Sequence, residues 1–528
     1  MNTNNSVPSL LVSKGEIVSA SYNDPIIASY RDNPLIEALP PILSEEEAMI
    51  HLSIYPRYSE EERSLPNHLR LHLVQNALQF IEPLPIHLDL EQRFSRMIRA
   101  GYQARNPLTA DFWRNFQERI DVLRPEGVAK IHLRSTATGF TIIGISGIGK
   151  TTAIEAILRL YPQVIIHSHY RDRNFTLKQI VWLKLDCPFD GSIKGLCLNF
   201  FQAVDDLLET EYYTKYTRGK QTVDELIPYM ARVASLHCIG VLVIDEIQHL
   251  NEAKSGGYRK MLNFFVQLVN TIGIPVVLVG TYKAMSILSG EFRQTRRGTG
   301  QGDLVWDRMA EDEVWELFIE SLWRYQYVKK PCVPNSDLSH ALYEVTQGIT
   351  DFAVKVYMLA QIRAIATGKE IITASIIRSV AKDSLRMAQP ILIALKTGDL
   401  RLLQGIEDIH PIDINTFLEE AKASTKIVGK INSSLTISKN RLHHDIDFDA
   451  EVQNVDSNSS VRDLVEKNQS IPNVNKIDTK QKSKQNSKKI NNNTSLMEIV
   501  YLGKKQGIAA YESLKLKGYI LHSDEYFL

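Results

Sequence analysis

Residues Gly144, Ile145, Ser146, Gly147, Ile148, Gly149, Lys150 and Thr151 read G-I-S-G-I-G-K-T. They satisfy every constrained position of the G-x-x-x-x-G-K-[ST] phosphate loop. Glycines at such places let the main chain turn tightly, so that successive N–H groups face phosphate oxygens. A helix starting at the lysine adds partial positive charge at the same spot. The chemistry expected is binding of ATP with Mg²⁺. Lys150 would reach the β- and γ-phosphates, the Thr151 hydroxyl would ligate the metal, and Thr152 shares their helical turn.

A second group of residues fits hydrolysis. Asp245 and Glu246 end the apolar run Cys238–Ile244, about a hundred residues after the loop. At the carboxyl end of a parallel strand, Asp245 would complete the metal shell while Glu246 stays free to polarise the attacking water. Thr281 closes the next apolar run, Ile274–Gly280, where a hydroxyl can reach the γ-phosphate or the water; an ordinary strand-end threonine is the plainer reading. Arg293, Arg296 and Arg297 follow. In an oligomeric ATPase one such arginine can enter the neighbour's site, because guanidinium stays charged and presents a planar donor fork. The sequence does not choose among the three, and a basic surface loop is the alternative. Arg105, Asn106 and Pro107, just ahead of the core, are candidates for the wall against the nucleotide base, or an ordinary loop.

These residues need a scaffold of alternating elements. A β-type run, Thr136–Ile143, precedes the phosphate loop, and a helical pattern, Thr152–Leu160, follows it. Val164–Ile166 could be a strand or a connector, and Gln179–Asp186 reads as one strand. Helical runs are expected over Ile193–Leu208, Val223–Leu236 and Tyr258–Thr271. Continuous apolar strands alternating with helices imply an α/β fold whose parallel sheet is covered on both faces. From about Asp303 the pattern turns to helices alone: Glu311–Tyr325, Leu338–Thr346, Phe352–Ala366 and Thr373–Met387. Ahead of the core, Ser44 with Glu47 three residues on has the form of a capping box.

The expected organisation is a flexible N-terminus (1–28), a helical N-terminal docking region (29–125) and the α/β ATPase domain (126–302). A helical lid (303–400), a variable, disordered linker (401–495) and a C-terminal partner-binding tail (496–528) complete it. The linker is rich in Asn, Ser, Lys and Asp, a composition that cannot bury enough apolar surface to order itself. The N-terminal region could simply pack on the ATPase or could receive a partner.

Composition narrows the class further. The 528 residues carry 61 Lys+Arg against 61 Asp+Glu, so no global basic field advertises nucleic acid, and any DNA contact must be local. The four cysteines, Cys187, Cys197, Cys238 and Cys332, have no metal-site spacing, which favours a reducing cytoplasm. The N-terminus lacks a signal-peptide pattern, and no run is long enough to span a membrane.

Taken together, GISGIGKT, QIVWLKLDCPFDGS, VLVIDEIQHL, IPVVLVGTYKA and FRQTRRGTGQGD resemble the TnsC/TniB family of transposition-regulator ATPases, over roughly residues 30–400. NPLIEALPPILS and the tethered tail are more similar to TnsC. The resemblance implies an AAA+ fold, with the α/β domain followed by a helical lid, and an ATPase that assembles as rings or filaments on double-stranded DNA. It implies partners of the TnsD/TniQ target-selector type, through the N-terminal region, and of the TnsA/TnsB transposase type, through the tail, in a bacterial cytoplasm. DNA contacts would come from Lys184, Lys194, Lys215, Arg218 and Lys220, as phosphate contacts without sequence readout. The chain departs from the AAA+ pattern in one place. Many AAA+ lids carry an arginine that senses the γ-phosphate, whereas Gly348–Lys355 has none, leaving Lys355 as at best a substitute and implying either slow hydrolysis or sensing through the neighbour's arginines. Three other readings stay open: a signalling NTPase of NB-ARC type, a replication-initiator or clamp-loader-like ATPase, and a scaffold that binds nucleotide without turnover.

Overall fold

In the computed structural model, residues 15–397 are described apart from 111, 114–135, 220, 253–261, 264, 267, 270–272 and 285–301. Eight strands occur among the described residues: β1 (Ile17–Ser19), β2 (Phe140–Gly144), β3 (Val164–Tyr170), β4 (Arg173–Ile180), β5 (Trp182–Asp186), β6 (Val241–Asp245), β7 (Val276–Gly280) and β8 (Leu304–Trp306). Five of them form a parallel sheet in the order β5-β6-β7-β2-β8.

Side-chain alternation shows why these strands are apolar throughout. Val241, Val243, Val277, Val279, Phe140 and Ile142 enter one core, with the phosphate-loop helix Lys150–Leu158 and the helix Pro85–Gln103. Leu242, Ile244, Val276, Leu278 and Leu185 enter the other, beneath the helices Ile193–Leu208 and Val223–Leu236. Both faces are covered, so neither set of alternate positions is polar.

Three elements differ from the sequence expectation. Gln179–Asp186 is not one strand: β4 ends at Ile180 and β5 starts at Trp182, in different sheets. Both pieces are apolar, so periodicity carries no trace of the switch. β8, at residues expected to open an all-helical region, is the edge of the parallel sheet, paired with β2. Ile17–Ser19, expected to be flexible, pairs in parallel with Val164–Ile166 in the small sheet β1-β3-β4. Main-chain pairing, which composition does not report, fixes this polar stretch.

The lid helices Glu313–Leu322, Ser336–Thr346, Thr350–Ala366 and Ala374–Ser384 surround their own core, with the helix Gln389–Thr397 beyond. Thr373 caps its helix as expected, its hydroxyl accepting from Ile376 N at 3.3 Å. The Ser44–Glu47 capping box is also formed, at 3.2 and 2.8 Å.

The N-terminal helices are shared between two bodies. Pro85–Gln103 lies on the sheet: Phe94 meets Phe140 edge-on at 5.6 Å, and Tyr102 Oη donates to Cys238 O at 2.9 Å. Asn67–Leu73 belongs to the lid side. Fully buried Arg70 donates from Nη1 to Glu370 Oε2 at 2.8 Å and from Nη2 to Oε1 at 2.6 Å, and Nη1 also reaches Tyr327 O at 2.9 Å. Between these two helices the chain passes Phe80–Leu84, whose Phe80 packs on Phe318 and Tyr325 of the lid.

Candidate nucleotide site

The phosphate loop leaves the end of β2 and enters the helix Lys150–Leu158. Gly147 and Gly149 have φ of 80° and 98°, a left-handed conformation that any Cβ would strain. Buried Lys150 folds back over the loop, Nζ donating to Gly144 O at 2.9 Å and Ile145 O at 2.8 Å. Its ammonium is thus held over the loop by two main-chain carbonyls.

The two residues expected to share a metal are in contact. Thr151 Oγ1 donates to Asp245 Oδ2 at 2.8 Å across 94 residues of sequence. A hydroxyl and a carboxylate are hard oxygen donors, and two protein ligands beside a triphosphate are what Mg²⁺ uses. The pair therefore fits that ion.

Lys184, expected to contact DNA, is placed elsewhere. β5 and β6 run in register, with Lys184 opposite Val243 and Asp186 opposite Asp245, so side-chain alternation puts Lys184 on the Asp245 face. Its ammonium lies 3.0 Å from Glu155, 3.7 Å from Asp245 and 3.8 Å from Asp186. Its partly buried ammonium neutralises these carboxylates instead of offering a free surface charge.

Glu246 is exposed at the mouth of the site and has φ of 56°; its N–H donates to Asp245 Oδ1 at 2.9 Å. Thr281 lines the same side of the cleft. Between them lies Gln248, which the sequence reading did not single out. Its amide oxygen accepts from Thr281 N at 3.2 Å, and its amide nitrogen donates to Glu246 Oε2.

The cleft, about 340 Å³, is lined on one side by Ser146–Thr152, Asp245, Glu246, Gly280 and Thr281. Leu78, Phe80–Glu82, Leu84, His87, Phe318, Thr350, Asp351 and Val354 line the other. Arg105, Asn106 and Pro107 are not among these residues. Arg105 is buried under the sheet, Nη1 donating to Ile239 O at 2.7 Å and Nε to Gly101 O at 2.7 Å. The wall upstream of the first core strand is thus built about twenty residues earlier than expected. Pro83 and Pro85, which hold that stretch extended, were the available signal.

This second wall holds two strongly perturbed groups. Burial pushes the Glu82 carboxyl up to about 7, against hydrogen bonds from Ser321 and Tyr55. Burial pushes His87 down to about 4. His87 Nδ1 accepts from Leu84 N at 3.0 Å, so the proton of the neutral ring sits on Nε2.

The lid meets the loop directly. At the start of Thr350–Ala366, Asp351 N donates to Gly147 O at 3.1 Å, and Thr350 Oγ1 approaches the same carbonyl at 3.4 Å. Lys355, expected to sense phosphate, is one helical turn further on and pairs with Asp351 at 2.7 Å; it does not line the cleft.

Of the remaining DNA candidates, Lys194, Lys215 and Arg218 are exposed, Lys194 donating to Gln221 O at 3.0 Å and Lys215 lying over the Tyr216 ring. Lys220, Arg293, Arg296 and Arg297, and the linker and tail beyond 400, lie outside the described residues. Cys187, Cys197 and Cys238 are buried thiols, which burial pushes up to about 12. No described helix is long and apolar enough to cross a membrane.

Phosphate loop, paired acids at the end of β6, five parallel strands and a lid define the AAA+ P-loop ATPase fold. The family model described as "AAA domain" matches residues 133–288. Among solved structures the chain is similar to the Walker-type ATPase PABY2304 of Pyrococcus abyssi, at 16% identity over 50% of this chain and 70% of that one, TM-score 0.32. It is also similar to the Aeropyrum pernix ORC1 protein in complex with DNA (14% identity, 62% and 82% covered, TM-score 0.34) and to Cdc6p from Pyrobaculum aerophilum (11%, 53% and 70%, 0.33). No curated protein sequence matches the chain.

Proposed function

We propose that the protein is an ATP-driven switch that oligomerises on duplex DNA and regulates transposition, joining a target selector to a transposase. The observation carrying the ATPase part is the 2.8 Å contact between Thr151 and Asp245, with Glu246 next to it on the cleft. Lys150 would neutralise the triphosphate, and the loop N–H groups would orient it. Thr151 and Asp245 would hold Mg²⁺, which when bound spreads the charge developing on the phosphates. Glu246 would accept a hydrogen bond from the attacking water, with Thr281 on the same side of the cleft.

The motifs GISGIGKT, VLVIDEIQHL and IPVVLVGTYKA support the transposition reading, through their resemblance to TnsC. Exposed Lys194, Lys215 and Arg218, with Lys220, are proposed phosphate contacts; one of Arg293, Arg296 and Arg297 would serve the neighbouring subunit. The N-terminal region is proposed to receive the selector, and residues 496–528 the transposase.

Electron microscopy of the full chain with a non-hydrolysable ATP analogue, with and without duplex DNA, tests this function. Rings or filaments enclosing DNA are expected with both ligands present. Nucleotide-dependent assembly indifferent to DNA would favour the signalling reading instead. Deleting 496–528 is expected to leave DNA assembly intact and to abolish transposase recruitment; recruitment that survives would remove the tail's role.

A further inference from the structure

Gln248 is buried, at 3% exposure, and a buried primary amide must place both ends. Its oxygen faces the Thr281 N–H at 3.2 Å, and its nitrogen faces Glu246 Oε2. A main-chain N–H can only donate and a carboxylate can only accept, so the two partners fix the amide's orientation. Glycine at 280 makes room for this bridge. A Cβ there would meet Ile247 Cγ2 at 2.5 Å and Gln248 Oε1 at 3.0 Å. Glu246 itself sits in the left-handed region, φ 56°, directly after β6, so the amide steadies a carboxylate on a strained main chain.

We propose that Gln248 is a positioning residue for hydrolysis: it aims the Glu246 carboxylate at the water site and ties that aim to the end of the strand carrying Thr281. The inference rests on the ATPase reading above and deepens it. β6 carries the acid pair and β7 ends at Gly280, so one amide makes the two adjacent strand ends act together. A shift of the β7 end would change where Glu246 points without touching the phosphate loop. ATP binding and ATP turnover are thereby separable: Gln248 acts on the second alone.

The test is a double-mutant cycle on the full chain with Mg²⁺ and duplex DNA, following single-turnover hydrolysis and the binding of a fluorescent ATP analogue. Gln248→Leu should lower kcat about 10–100-fold, the scale of a misaimed catalytic group, with affinity changed less than about twofold. Gln248→Glu keeps an acceptor for Thr281 N–H but sets a second carboxylate against Glu246, and should fall at least as far. A merely structural tether would instead be rescued by this variant. In a Glu246→Gln background, Gln248→Leu should cost almost nothing further, because the group it aims is gone. Two results overturn the proposal: hydrolysis by Gln248→Leu within about twofold of the parent, or the same loss in both backgrounds. Undiminished hydrolysis by Glu246→Gln alone would overturn the site assignment beneath it, and the inference with it.

Discussion

The two walls of the nucleotide cleft are built in opposite ways. The sheet wall takes its groups from strand ends and one loop: Ser146–Thr152, Asp245, Glu246, Gly280 and Thr281. Parallel strands held in register set their spacing, so chemistry there rests on main-chain geometry. The facing wall takes Leu78, Phe80–Glu82, Leu84 and His87 from the N-terminal region and Phe318, Thr350, Asp351 and Val354 from the lid. It is mostly apolar, comes from distant parts of the chain, and holds only two titratable groups forced off their ordinary values, Glu82 and His87. The first wall is suited to charge, the second to a flat apolar body and to movement between two packed units.

Breaking the sheet wall should have the largest effect. Lys150→Ala is expected to lower ATP affinity by about 100-fold or more, since a buried cation facing a triphosphate has no substitute there. Titration calorimetry with ATP checks this; near-parental affinity would show that the loop does not bind the phosphates. Within the lid-side unit, away from the cleft lining, Arg70→Met strands Glu370 beside a buried apolar partner and should destabilise the chain by about 3–5 kcal/mol. Denaturant midpoints measure it, and a loss below about 1 kcal/mol would mean that the N-terminal helix is not anchored to the lid through this pair.

Glu82 sharpens the contrast through pH. Its folded value, about 7, lies above the ordinary 4.5, so the folded state holds the extra proton between them. Its contribution is complete below about pH 4.5 and is lost as pH rises to about 7. The stability of the parent relative to Glu82→Gln should fall by about 3 kcal/mol over that window. His87 acts with opposite sign: its folded value, about 4, is below the ordinary 6.5, so its stabilising contribution grows as pH rises between them. The parent therefore shows little net slope from this pair, and the variant exposes it. A pH-independent difference between parent and variant would place Glu82 in contact with water. The smallest effect is expected from Lys355→Ala. Unpaired, Asp351 would face the triphosphate and weaken ATP by about fivefold, near 1 kcal/mol, and less at high salt.

Legibility in the sequence followed the same division. Lys150, Thr151, Asp245 and Glu246 could be placed because a strand end and a glycine loop leave local signatures, and helices such as Ile193–Leu208 and Val223–Leu236 have the bounds that their apolar spacing suggests. The facing wall left only Pro83 and Pro85 as a trace. Leu78, Phe80 and Leu84 look like any core residues until the lid is folded over them. Lys184 looked like a surface cation because two of its three carboxylate neighbours, Glu155 and Asp245, are 29 and 61 residues away. β1 and β8 are three residues each, too short for any pattern, and exist because a neighbour's open edge pairs with them.

The Arg70–Glu370 pair also bears on how the chain is made. Its partners are 300 residues apart. At ribosomal rates of roughly 5–20 residues per second, Arg70 emerges about 15–60 s before the carboxylate that will neutralise it. Through that interval the helix Asn67–Leu73 and the apolar stretch Val74–Leu84 have no lid to cover them. The nascent chain therefore shows an apolar segment whose Arg70 guanidinium stays without its Glu370 partner until that part of the lid is made.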